Sequence, residues 1–425
     1  MESFYIIVGI FALICVLGFF NEKITKMTPE IALMLFSSII GIAILLITTH
    51  TEKSSVVDIL RKVQVFDIRS FLMDGVLCFM LFSGSCHLKL KDFKAQARQV
   101  TVLALVCTLL GTVFYGLLIY GAGHLLGYPI QLPVCLMFGS IIAPTDPIAA
   151  TGILGKFGLP KGISFLIQGE SLFNDGVGVA LFVFFSGMVS VTSSSSAASE
   201  GILSIMLREV LGALLVAAVV SILCYLMYRY TKNKFLRIFI SLLMVSLSYA
   251  LCELFHFSGA IASVICGILF SEFRTRFKQP DEDPEQEKLL DSFWETLDVF
   301  LNYMLYVILG LSFVSVLGMP HVILFSVIAI VANLIARAGS LSISTLFIGT
   351  IPDGFSKPGF VTLFTWGGLR GGLSVALAMS TQGLLPEEGY FILLGCTYAV
   401  VFFTTVIQGL TMKPVYTQIC KKMKA

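Results

Sequence analysis

Apolar runs near the roughly 20 residues needed to cross a bilayer recur thirteen times along this chain. They cover approximately residues 3–20, 29–49, 69–86, 99–123, 130–153, 163–188, 201–228, 235–254, 257–272, 290–317, 320–349, 358–381 and 388–412. The ninth is short and the tenth opens with charged residues, so these edges are the softest. Residues 54–66 (SSVVDILRKVQVF) alternate differently and pattern as a short amphipathic interfacial helix. An all-α polytopic membrane protein is expected, with the first run retained as a helix because Met1-Glu2-Ser3 lacks the basic start of a secretory signal.

Thirteen spans divide as six, one and six, and the seventh crossing turns the second six upside down. That is the arithmetic of inverted repeats, a common plan for secondary transporters, and it predicts that corresponding helices are broken near mid-membrane. The fifth span carries Ala143-Pro144-Thr145-Asp146-Pro147, where prolines remove backbone donors. Its counterpart, the twelfth, carries Trp366-Gly367-Gly368-Leu369-Arg370-Gly371-Gly372, a glycine density that helix interiors resist. The expectation is two broken helices crossing at mid-membrane.

Polar residues inside apolar spans are costly, roughly 2.5–3.5 kcal/mol per charge on insertion scales, and mark function by default. The densest set is Gly169-Glu170-Ser171-Leu172-Phe173-Asn174-Asp175-Gly176 in the sixth span. Ser171, Asn174 and Asp175 share one helix face, with Glu170 beside them. A hard monovalent cation wants several oxygen ligands, and this face offers carboxylate, hydroxyl and amide oxygens. Asp175, near mid-span, is the expected carrier of ion and proton. The broken fifth span adds Thr145 and carbonyl oxygens, while Asp146 and Arg370 are placed to offset the dipole ends of half-helices. Arg370 alternatively bonds nearby carbonyls and steadies the bend. Arg337, in the eleventh span, is a buried cation that needs a carboxylate; Glu170 is the expected partner, which leaves Asp175 free to titrate. Asp74 and Asp298, near the ends of corresponding third and tenth spans, line an access funnel at most.

Composition sharpens the class. The 425 residues are 57% hydrophobic and 13% charged, with a mean hydropathy of +0.93, too little charge for a soluble chain of this length. A net charge of +2 gives no reason to expect nucleic acid. Loops after odd-numbered spans and the C-terminus hold 21 of the 28 lysines and arginines, five lie opposite, and Arg337 and Arg370 fall within spans. That bias puts the C-terminus in the cytoplasm and the N-terminus outside. The ten cysteines are scattered without CxxC spacing, and no two of the five histidines stand at metal-ligand spacing. The runs TSSSSAASE (192–200) and KQPDEDPEQEK (278–288) read as solvated loops.

At these motifs the chain resembles sodium/proton antiporters of the NhaP type, the bacterial and archaeal relatives of animal sodium/hydrogen exchangers. The three motifs around Asp146, Asp175 and Arg370 arrive in the family's order, supported by Phe257-Ser258-Gly259-Ala260-Ile261-Ala262 and Arg337. The resemblance implies an NhaA-like antiporter fold and a homodimer whose scaffold holds still while a core domain moves. The core is expected at approximately 69–190 and 290–412, the scaffold at approximately 1–68 and 201–272. It implies that Asp175 binds Na+ or H+, with Thr145, Asp146, Ser171 and Glu170 assisting, and that the Asn174-Asp175 pair belongs to the electroneutral branch. No long regulatory tail follows the last span, which points to a prokaryotic inner membrane or a truncated chain.

The function expected is electroneutral exchange of one Na+ (or Li+) for one H+ at a shared aspartate by alternating access. No zinc, nucleotide or redox cofactor is needed; the partners are monovalent cations, protons and the lipid bilayer. Potassium/proton exchange with the same residues is the nearest alternative. A passive cation channel and an intramembrane aspartyl protease stand further off.

Overall fold

The computed structural model describes residues 2–50, 76–86, 96–146, 154–155, 158–193, 202–277, 284–317 and 321–424. Asp74, the amphipathic segment 54–66, Pro147, and most of the 192–200 and 278–288 runs lie outside them. Among the described residues the chain is all helical, without strands. The first helices are α1 (Glu2–Phe20), α2 (Pro29–His50), α3 (Leu77–Cys86), α4 (Ala97–Leu125), α5 (Leu132–Ile142) and α6 (Lys161–Ser193). There follow α7 (Ile202–Tyr230), α8 (Lys234–Leu254), α9 (Gly259–Arg276), α10 (Pro284–Leu317) and α11 (Val322–Ile348). The twelfth apolar run is split into α12 (Lys357–Trp366) and α13 (Gly372–Ser380). The last helix, α14, runs Glu387–Phe402, through a π turn at Phe403–Gln408, into Gly409–Lys424.

Seven stretches qualify as spans by length and composition: the end of α1 with its π turn, α4, α6, α7, α8, α11 and α14. The other expected crossings are shorter, split, or carry charge: α2, α3 and α5 are short apolar helices among the described residues, and α9 ends in Glu272, Arg274 and Arg276.

Two helix limits differ from expectation. The acidic run after residue 278 is not wholly loop, because its last residues open α10. Pro284 starts that helix with Glu285 and Glu287 in its first turn, favourable for the dipole, and Arg274 bonds Asp291 at 2.8 Å with Glu287 at 3.8 Å. The thirteenth run does not stop near 412. Its amphipathic continuation buries Met412, Tyr416 and Ile419 in a cluster with Phe360, Leu363 and Phe364 of α12, leaving Lys413, Lys421 and Lys422 exposed.

Packing sorts the helices into two groups. α10 lies along α2; α3 packs on α9; α7, α8 and α9 pack on one another. Trp294 of α10, fully buried, ties this group together: its indole N–H donates to Ser241 Oγ at 3.0 Å, and Ser83 Oγ donates to its carbonyl at 3.0 Å. In the other group, α4 packs on α5 and α11, α6 on α5, and α14 on α11 and α13. The candidate site lies in this second group, against α10.

Candidate functional site

The break after α5 follows from its prolines. In a continuous helix the carbonyls of Ser140 and Ala143 would accept from residues 144 and 147, and both are prolines without an N–H. The helix therefore ends at Ile142 and Ala143-Pro144-Thr145-Asp146 leaves it. The carbonyls at the end of α5 are met from the other broken helix. Arg370 Nη1 donates to Ala143 O and, at 2.8 Å, to Pro144 O, while Nη2 donates to Asn333 Oδ1 at 2.9 Å. A buried guanidinium thus caps the negative end of α5, so the two roles weighed for Arg370 coincide in one geometry.

The second break, Gly367 to Gly371, joins the first through backbone: Asp146 N–H donates to Leu369 O at 2.8 Å. α14 holds the other side. Arg370 N–H donates to Thr404 Oγ1 at 3.1 Å, and Thr405 Oγ1 donates to Arg370 O at 3.2 Å. Both threonines sit in the π turn, a distortion that often marks functional positions. Asp146 lies against Gly371, the N-cap residue of α13, where a Cβ would come within 2.9 Å of Asp146 Oδ2. Only glycine admits that approach, and it puts a carboxylate at the positive end of α13. On α6 a Cβ at Gly178 would collide with the Pro144 ring, so the same economy lets α6 approach the break.

α6 then divides its polar residues between two neighbourhoods. Glu170 Oε1 accepts from Arg337 Nη1 at 2.6 Å, with both side chains buried. Arg337 Nε donates to Phe364 O at 3.4 Å, and Arg337 Nη1 lies 3.5 Å from Cys107 Sγ. One turn on, Ser171 Oγ and Thr145 Oγ1 are 2.9 Å apart, Asn174 Nδ2 donates to Thr145 Oγ1 at 2.8 Å, and Thr145 N–H donates to Asn174 Oδ1 at 3.3 Å. Thr145, Ser171 and Asn174 are buried, whereas Asp146 and Asp175 are half-buried. Asp175 makes no hydrogen bond or ion pair among the described residues. The charges that act on it are Asp146 and Asp298, both negative. A carboxylate with like charges acting on it and no ion-pair partner among the described residues can accept a proton or a small cation.

The eight residues expected to form the site are thus carried by α6, α11 and the two unwound segments. Others were not singled out. Tyr306 of α10 donates to Asp146 Oδ2 at 2.6 Å; in the sequence it is one of two tyrosines, with Tyr303, in the apolar stretch 299–311. Asn333 precedes Arg337 by one helical turn and shares its face. Thr404 and Thr405 were polar insertions in the thirteenth run, indistinguishable there from ordinary helix hydroxyls. Asp298, expected near a span end, lies in the interior of the long α10, with Asn302 Nδ2 donating to its carbonyl at 3.0 Å. All ten cysteines are free thiols.

The transmembrane sodium/hydrogen exchanger family matches residues 9–418. The Na+/H+ antiporter NhaP of Pseudomonas aeruginosa is 28% identical over 418 residues, 97% of this chain and 96% of that one. The Na+/H+ antiporter NhaH of Halobacillus dabanensis is 29% identical over 395 residues, 92% of each. In fold, the chain superposes on the sodium proton antiporter MjNhaP1 of Methanocaldococcus jannaschii with a TM-score of 0.75 at 18% identity, covering 99% of both. The family match over nearly the whole chain, with an antiporter fold, makes this protein a member of the sodium/hydrogen exchanger family, membrane antiporters and not enzymes.

Proposed function

We propose that the protein exchanges one Na+ or Li+ for one H+ across a cell membrane, electroneutrally, at Asp175. The observation that supports this reading is the division on α6: Glu170 is paired with Arg337, and the Asp175 side chain, five residues on, has no hydrogen-bond or ion-pair partner among the described residues, with Asp146 and Asp298 acting on it. Na+ would be held by Asp175, Asp146, Thr145 Oγ1 and Ser171 Oγ, with Asn174 holding Thr145 in place and Glu170, Arg337 and Arg370 fixing the frame. Because one carboxylate takes either a proton or a cation, the two compete, and exchange is obligatory without ATP.

Alternating access in this reading is an elevator-like shift of one helix group past the other, in a homodimer built on inverted repeats. Packing supports α4–α6 with α11–α14 as the moving core. α3 and α10, grouped with the core on sequence grounds, then stand with the scaffold of α1, α2 and α7–α9. The N-terminus lies outside and the C-terminus in the cytoplasm. The test is exchange in proteoliposomes with sodium, lithium and potassium across pH, with and without a membrane potential. Sodium- or lithium-dependent proton movement insensitive to the potential is expected. Exchange driven by potassium alone, or altered in proportion to the potential, would overturn the ion choice or the stoichiometry respectively.

A further inference from the structure

α10 packs along α2, yet its Tyr306 reaches the ion site. Asp298, Asn302 and Tyr306 are spaced i, i+4, i+8 and so lie on one helix face. Tyr306 is 1% exposed, and its hydroxyl donates to Asp146 Oδ2 at 2.6 Å. Leu305, its neighbour, lies against Gly372 at the start of α13. Asp298, two turns away, acts electrostatically on both Asp146 and Asp175. Asp146 belongs to the other helix group: its backbone is bonded to Leu369, and its segment is capped by Arg370. The Tyr306–Asp146 bond is therefore a charge-assisted link between the two groups, made at the site itself. Links of this kind are short and roughly twice as strong as neutral ones.

We propose that Tyr306 is a state-dependent positioning residue, which holds Asp146 against α10 in this conformation and lets go of it when the core moves. The inference rests on the sliding motion proposed above. While the bond is made, one Asp146 oxygen is committed to the tyrosine hydroxyl; once the core has shifted along α10, that bond is broken and the oxygen can turn to the cation. The two states then hold Na+ with different ligand geometry, and the transporter has unequal apparent affinities at its two faces. A tyrosine that merely filled space would contribute nothing through its oxygen.

The test is Tyr306→Phe, close in shape and lacking only the hydroxyl, reconstituted in proteoliposomes of one orientation with half-saturating Na+ measured separately at each face. Loss of a hydrogen bond to a charged group from one state only is expected to change the ratio of the two half-saturation values about tenfold. A ratio equal to that of the unaltered protein, whether both values move together or neither moves, would overturn the proposal. The Na+ gradient that just balances a set pH gradient, measured in the same vesicles, should be the same in both proteins. A coupling other than one for one there counts against the proposed exchange, while the face ratio still decides the role of Tyr306. If Tyr306→Phe does not transport, hydrogen–deuterium exchange on the purified protein decides it. Faster exchange around Tyr306 and across 143–146, with α7–α9 unchanged, is expected; unchanged exchange in both segments would overturn the proposal.

Discussion

Glu170 and Asp175 stand on one helix five residues apart, with the same functional group and opposite circumstances. Glu170 is buried and bonded at 2.6 Å to Arg337, which is itself tied to the end of α12 through Phe364 O. Asp175 is half-buried, without a hydrogen bond among the described residues, and its charged neighbours are acids. A carboxylate with a fixed cation has no need to change its charge, whereas one among like charges gains from every proton or cation that arrives. The difference teaches that the functional group alone does not set the role; what stands beside it does.

That contrast can be broken most severely at Asp175. Asp175→Asn should abolish exchange in proteoliposomes, a loss of at least about 100-fold since no second carboxylate on α6 is free, while the protein still runs as a folded species on gel filtration. Robust exchange by this variant would remove the contrast altogether. Glu170→Ala and Arg337→Ala act on the other member. Each strands a buried charge, a change that costs about 3–5 kcal/mol in comparable buried pairs, and each should lower the thermal unfolding temperature well below that of Asp175→Asn. The double variant should be less destabilised than the sum of the two, and strict additivity would mean that the pair does not act as one.

Smaller changes sharpen the contrast. Gly371→Ala puts a methyl group within 2.9 Å of Asp146 Oδ2; overpacking of this kind costs about 1–3 kcal/mol. It should slow exchange and raise half-saturating Na+ with little loss of fold. Asn174→Asp removes the donor that holds Thr145 Oγ1 at 2.8 Å and adds a second carboxylate beside Asp175. Exchange rates measured with and without a valinomycin-imposed potential should then diverge, where those of the unaltered protein coincide. The smallest effect is expected from Thr405→Val, which deletes one bond to Arg370 O. It should lower stability by about 1 kcal/mol and leave ion affinity nearly unchanged.

Much of this arrangement is legible in the chain because membranes punish polarity. Carboxylates and arginines inside apolar runs need partners, so Glu170, Asp175, Arg337 and Arg370 stand out, and the prolines at 144 and 147 and the glycines at 367, 368, 371 and 372 announce the broken helices. The Glu170–Arg337 pair was legible because a buried arginine needs a carboxylate and Asp175, at mid-span, was already assigned to the ion. Thr404 and Thr405 were not legible, since a threonine hydroxyl costs little in a helix whose own carbonyls can accept from it; Tyr306 was not, since tyrosine is common in apolar spans and nothing local reveals which helix it faces. Asp298 was discounted for the opposite reason. It was placed by distance from the end of an apolar run, and the helix begins earlier than that run, because Pro284, Glu285 and Glu287 make a good helix start outside it.

The most direct measurement of the shared-carboxylate account is half-saturating Na+ as a function of pH in proteoliposomes of the unaltered protein. If one proton and one Na+ compete for Asp175, the half-saturating concentration should rise tenfold for each unit of pH below the apparent pKa of the site and level off above it. A half-saturating concentration independent of pH would place proton and sodium on separate groups and contradict the account.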